Sequence, residues 1–145
     1  MTDTTTKPPV WFWVVTVIAL LWNLMGVSAY LNSVYMSPEG LAEMTAEQQA
    51  LFEATPGWVT GTFAIAVFAG ALGCILLLLR KRLALPLLVV SLLAVLVQDF
   101  YYYTQTNTVE VYGSFQALIM PIVVIVVCIL LIMLARKSIS AGWIK

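Results

Sequence analysis

An all-α fold, a four-helix bundle integral to a membrane, is predicted by three features of this sequence. Hydrophobic residues fill 62% of its 145 positions and charged ones only 10%, against an apolar share of roughly 45–50% in soluble domains. The mean hydropathy is correspondingly high, +0.99. The apolar residues also gather into four stretches, about 9–31, 58–79, 83–103 and 113–135, each close to the roughly 20 residues that a helix needs to cross the hydrocarbon. What remains outside them is too short to bury a second core, so residues 1–145 read as a single transmembrane domain.

The formal charge is zero, but it is unevenly placed. Arg80, Lys81 and Arg82 lie between the second and third stretches, and Arg136, Lys137 and Lys145 follow the fourth, whereas the connection 32–57 carries Glu39, Glu43, Glu47 and Glu53 and no base. The connection after the third stretch has Glu110 alone. Basic connections stay in the cytoplasm, so both termini and the Arg80–Arg82 turn are expected there and the loop 32–57 outside it.

The first span opens with Trp11, Phe12 and Trp13 at the expected headgroup level and closes with Tyr30 and Tyr35. Within it, WNLMGVSAYL interrupts the apolar run. Val27-Ser28-Ala29 has the spacing of a signal-peptidase site. The apolar run before it is about 18 residues, longer than the roughly 7–15 of a leader, and Lys7 is offset by Asp3, so retention as a first span is expected. Ala19, Trp22, Gly26 and Ala29 form a side suited to close packing, with Asn23 one position away. An amide in hydrocarbon needs a partner, which a neighbouring helix supplies with a gain of about 0.6–2 kcal/mol. The stretch therefore reads as an interhelical seam with one polar fastener, a ligand contact being the alternative.

The loop 32–57 is expected to carry a short amphipathic helix over about 45–54, because Thr45 and Gln48 have the spacing of a capping box and Glu47 suits a first turn. Pro56-Gly57 ends it, and Ser37-Pro38-Glu39 can start an earlier turn. Leu51 and Phe52 are placed to lie on the bundle or the headgroups. The glutamates read as a solvated face, or alternatively as a cation- or partner-binding surface.

Small residues dominate the second span: Thr62, Ala66, Gly70 and Cys74 recur every four positions, and Gly57 with Gly61 and Ala69 with Gly73 add two further pairs. Helices in lipid gain no hydrophobic drive from meeting and rely on close approach, so this one is expected at the bundle centre or at a dimer seam. The third span has Pro86 in its first turn, where a missing amide costs little, and ends in Gln98-Asp99 before Phe100 to Tyr103. Asp99 falls about 24 Å along the helix from Leu83 at 1.5 Å per residue, near the outer interface. There it reaches water or, turned to the bundle, titrates or binds a cation. In the fourth span Pro121 frees a backbone carbonyl and bends the helix, with Gln116 one turn earlier.

The two halves share a layout: an apolar run that turns polar and then aromatic, an outer connection, a glycine (Gly57 or Gly113) and then a base (Arg80 or Arg136). Any such repeat is parallel, with its axis along the membrane normal. Chemistry is harder to place. Cys74 and Cys128 form no CxxC and read as small core residues, there is no histidine, and no cofactor, metal or nucleic-acid partner is expected. No nucleophile, base and orienting partner can be assembled, so no enzyme activity is expected.

WNLMGVSAYL, the run MTAEQQALFEATPGWVTGTFAIAVFAGALGCILLLLRKRLALPLLVVSLL and VEVYG together resemble a group of small bacterial four-span inner-membrane proteins loosely labelled sugar transporters. The resemblance covers most of the chain and implies an inner-membrane location and a transport role, without assigning site residues. The PQ-loop of small SWEET-type sugar carriers is absent, as are the first-span glutamate of small multidrug transporters and the CxxC of quinone-linked disulfide enzymes. Two readings remain. One is a transport-related protein, a homo-oligomer, with a polar path for a small solute lined by Asn23, Gln98, Asp99 and Gln116. The other is an accessory or assembly subunit that uses the glycine ridge and the acidic connection 32–57 as contact surfaces, with Gly26, Thr62, Ala66, Gly70 and Gly73 as the helix-packing residues.

Overall fold

A computed structural model describes residues 6–145; Asp3, named with the leader, lies outside them. The described residues are helical without strands, an all-α bundle. The elements are α1 (Val10–Val34), α2 (Pro38–Ala42), α3 (Ala46–Ala54), α4 (Gly57–Leu78), α5 (Ala84–Gln105), α6 (Thr108–Tyr112) and α7 (Met120–Ser140), the last entered through a π-turn at Phe115–Ile119. Among the described residues four helices are long and apolar enough to cross a membrane: α1, α4, α5 and the continuous π-turn and α7, of 25, 22, 22 and 26 residues.

The short helices follow their caps. Ser37 Oγ accepts the Gly40 amide at 3.1 Å to start α2, and Thr45 and Gln48 form a reciprocal capping box on α3, satisfying two amides that helix geometry leaves free. All four loop glutamates are exposed, while Leu51 and Phe52 are half-buried. α6 is an element that the sequence reading did not contain. It ends at Gly113, whose φ of +86° suits a residue without a Cβ.

α4 occupies the middle. It packs on α1 and on α5, and α5 packs on α7. The small residues of α4 explain why: a Cβ on Gly73 would sit 2.7 Å from Leu88 Cδ2, and one on Gly26 would sit 3.1 Å from Val67 Cγ1. The pair Gly57 and Gly61 does not share this role, because a Cβ at either position meets nothing within 4 Å. Spacing alone marked it as a packing pair, but both residues face away from the neighbouring helices. Thr62 instead turns its hydroxyl to its own helix, donating to the Val59 carbonyl at 2.7 Å.

At the end carrying Arg80–Arg82 the four long helices close on one apolar core that includes Phe12, Cys74, Leu77, Ala84, Leu131 and Ile144. Two matching helix ends shape it. α4 and α7 each finish in a Schellman motif, with Lys81 N–H donating to Leu76 O and Trp143 N–H donating to Ser138 O, both at 2.8 Å. The left-handed residue is Gly142 in one, but Arg80 in the other, at φ +58°. α7 runs five residues beyond Ala135, so Arg136 lies inside a helix while Arg80 lies just past the end of one. The layout repeat therefore pairs Arg80 with Gly142 in three dimensions, not with Arg136.

Arg80 ties this end together. Its Nε donates to Trp143 O at 2.7 Å and its Nη2 to Thr6 O at 3.2 Å, and Thr6 N–H donates to Gly142 O at 3.1 Å. Lys137 Nζ lies 5.3 Å from the centre of the Trp11 ring, within cation–π range. Trp11 and Trp143 meet edge to face at 5.5 Å.

Candidate functional site

Toward the opposite end the helices separate around a cavity of about 400 Å³. α1 contributes Trp22, Asn23 and Gly26, α4 contributes Phe63 and Gly70, and α5 contributes Ser91, Gln98 and Asp99. The wall is completed by Gln116 in the π-turn and by Pro121, Val124 and Cys128 of α7. Asn23, Gln98, Asp99 and Gln116, three of them on different transmembrane segments far apart in sequence, thus line one space.

A second cavity of about 450 Å³ lies at the loop end. Leu51, Phe52 and Thr55 of the loop 32–57 wall one side of it and Tyr102, Tyr103 and Tyr112 another. It shares Phe63, Gln98, Asp99, Gln116 and Pro121 with the first cavity. The polar residues of α5 and the π-turn stand where the two spaces adjoin. α5 also continues six residues past Asp99 to Gln105, about 9 Å at 1.5 Å per residue, which sets the carboxylate inside the helix rather than at its rim.

Each polar group has a distinct environment. Asn23 Nδ2 donates to Ala19 O at 2.8 Å and meets Cys74 Sγ at 3.5 Å. Its Oδ1 lies against Gly70, where any Cβ would overlap it. The fastener is therefore real but short-reaching: a strong bond to its own helix, a weak one to a sulfur across the seam, and space left by a glycine. Ser91 Oγ donates to Ala66 O across the α4–α5 contact at 2.6 Å, fully buried. Tyr102 lines the second cavity together with Thr55 and Gln98, which sets the loop against the wall that α5 provides.

Asp99 differs from these. Its Oδ2 is buried and takes no hydrogen bond from any described residue. Among the described residues no lysine or arginine lines either cavity. Two hydroxyls on the cavity walls are committed elsewhere, Ser91 to Ala66 O and Tyr103 to Ala117 O.

Pro121 shapes the wall opposite. Having no N–H, it leaves the Ala117 carbonyl without its usual helical donor, and the helix widens just before it into a π-turn with Met120 N–H bonding Phe115 O. This widening carries Gln116 along the cavity wall. Sequence reasoning named the proline and the freed carbonyl. It missed the donor, Tyr103, and the buried Ser91, whose only sequence signal was a lone hydroxyl in an apolar span.

Compared with protein-family models, with curated proteins and with solved structures, the chain matches none of them. Among the described residues no three cysteine, aspartate or glutamate side chains gather as a metal site, and both cysteines are unbridged, Cys74 buried and Cys128 half-buried on the cavity wall.

Proposed function

We propose that this multi-pass protein is a non-catalytic, transport-related protein of the bacterial inner membrane, oriented with the Arg80–Arg82 turn and both ends in the cytoplasm. The observation that carries the reading is the cavity itself. Polar residues of three membrane segments converge on a space that adjoins the loop-end cavity and stops at the packed core holding Phe12, Leu77 and Ile144. A solute site reached from one side and sealed on the other is one half of an alternating-access cycle. Buried polar groups in lipid are costly to keep, which favours a solute-handling role over packing alone.

The test is access from both faces. In oriented vesicles, a membrane-impermeant thiol reagent is expected to label Cys128 from the loop side readily. From the basic side the expected rate is roughly 0.1–10% of that, the usual population of a minor conformer. Labelling from the loop side alone would overturn the transport reading.

The other reading, a subunit of a larger assembly, draws support from the order in which the helices pack. α1 contacts α4, α4 contacts α5 and α5 contacts α7, so at the cavity level the space between α1 and α7 is bounded by Trp22 and Gly26 on one side and Val124 and Cys128 on the other. A second copy of the chain, giving a homo-oligomer, or an unrelated membrane protein would cover it. Mild-detergent purification from native membranes with mass measurement separates the two: self-assembly supports the transport reading, and unrelated chains at fixed ratio support the subunit reading.

A further inference from the structure

We propose that the 400 Å³ cavity binds a small, largely apolar solute carrying one protonated amine, with Asp99 as its counter-ion. The inference rests on the solute-handling role proposed above and gives that role a ligand class. Its volume falls within the roughly 300–1,000 Å³ of pockets that hold small molecules. Among the described residues the wall carries one formal charge, negative, and no base to balance it. The carboxylate has a buried oxygen with no donor from any described residue, an arrangement that is expensive in a medium of low dielectric unless a cation supplies both the charge and the hydrogen bond.

The remainder of the wall says what else the ligand must be. Trp22, Phe63, Val67, Met120 and Val124 offer apolar and aromatic surface, which rewards a hydrocarbon or aromatic body and lets the cation sit near a ring face. A sugar would leave several hydroxyls against that surface unpaired. A divalent cation would want about six or more oxygen ligands, and the wall offers one carboxylate among scattered amides. An ammonium group carries three donors, which Asp99 Oδ2 and the amide oxygens on the same wall can accept.

The experiment uses the full chain in nanodiscs of zwitterionic lipid, with radiolabelled 2-phenylethylamine as probe and 2-phenylethanol as its uncharged twin. The amine is expected to bind saturably and the alcohol to compete at least about tenfold more weakly. Asp99→Asn is expected to weaken the amine by roughly 10- to 100-fold, as for loss of one charged hydrogen bond, and Asp99→Glu to retain most of the affinity. No saturable binding, equal competition by the alcohol, or an unaffected Asp99→Asn variant would each overturn the proposal, the second of these marking the space as a crevice for lipid tails. Displacement of the amine by sodium chloride but not by choline chloride at equal ionic strength would assign the site to an inorganic cation instead. If Asp99→Asn fails to fold, the contest between amine and alcohol on the unaltered protein decides alone. An amine that binds but is not carried into proteoliposomes upholds the ligand class and sinks the transport reading, whereas two-sided access to Cys128 without amine binding does the reverse.

Discussion

The Tyr103 hydroxyl donates a 2.7 Å hydrogen bond to the carbonyl of Ala117, the group that Pro121 deprives of its helical donor. One side chain on α5 thus repairs the backbone of the π-turn ahead of α7. Ala117 is 3% exposed, so water cannot readily take over. Tyr103→Phe is expected to lower stability by about 1–3 kcal/mol, the range for a buried acceptor left unmet. Pro121→Ala restores an amide to that carbonyl, so in the double variant the Tyr103→Phe loss is expected to shrink to below about 1 kcal/mol. Thermal unfolding in detergent across the four proteins checks this, and strictly additive effects would sever the link.

Glycines on the same helix are expected to respond in opposite ways. At Gly70 a Cβ would overlap Asn23 Oδ1 and lie 3.2 Å from Ser91 Oγ, so Gly70→Ala forces either the α1–α4 seam or the α4–α5 contact apart. A loss of about 1–3 kcal/mol is expected, as for other overpacked sites, partly recovered when Asn23→Ala removes the obstacle. Gly61→Ala meets open space and is expected to be neutral or to stabilise the helix by up to about 1 kcal/mol. Melting temperatures that fall equally for both would contradict the placement of α4.

How much of this was legible in the sequence depends on what kind of interaction was involved. The four long helices followed from hydropathy, and the α3 start followed from the Thr45–Gln48 spacing, because each is a local property of consecutive residues. The glycine pattern of α4 was legible as a class but not one by one. Four-residue spacing puts Gly57 and Gly61 on a ridge, yet only the neighbouring helices decide whether a ridge is covered, and this one faces away from them while Val59, between the two glycines, is buried. Tyr103, Ser91 and the Arg80 tie were invisible for the same reason. Each acts on a backbone carbonyl of a distant segment, and a carbonyl has no letter in the sequence. Asp99 was visible as an anomaly, while its buried, partnerless oxygen required α7 and the loop around it.

Arg80 makes a further test possible. A left-handed arginine at a helix end is strained by about 1 kcal/mol relative to glycine, so Arg80→Gly relaxes the backbone while deleting the bonds to Trp143 O and Thr6 O. Hydrogen bonds to a charged donor contribute about 1.5–3 kcal/mol each when well buried and less where water competes, as at Thr6. The expected result is a small change in global stability together with faster amide exchange at Thr6, whose N–H bonds Gly142 O. Unchanged exchange at Thr6 would mean that the backbone contacts hold the ends together without the guanidinium.

Asn23 offers the sharpest separation of stability from function. Its amide is satisfied mainly by its own helix, through Ala19 O at 2.8 Å, and only weakly by Cys74 Sγ at 3.5 Å. Polar side chains between membrane helices contribute about 0.6 kcal/mol on average, and this one lacks a strong partner across the seam. Asn23→Ala is therefore expected to alter stability by less than about 1 kcal/mol in either direction. Its Oδ1, however, is held open by Gly70 on the wall of the cavity that contains Asp99. A residue kept for packing would show its loss in the melting temperature, and one kept for a solute would show it in binding. The expected pattern is a near-unchanged melting temperature with amine affinity reduced about 3- to 10-fold, as for a neutral hydrogen bond of about 1 kcal/mol. The reverse pattern, a large thermal loss with affinity intact, would return Asn23 to the helix seam alone.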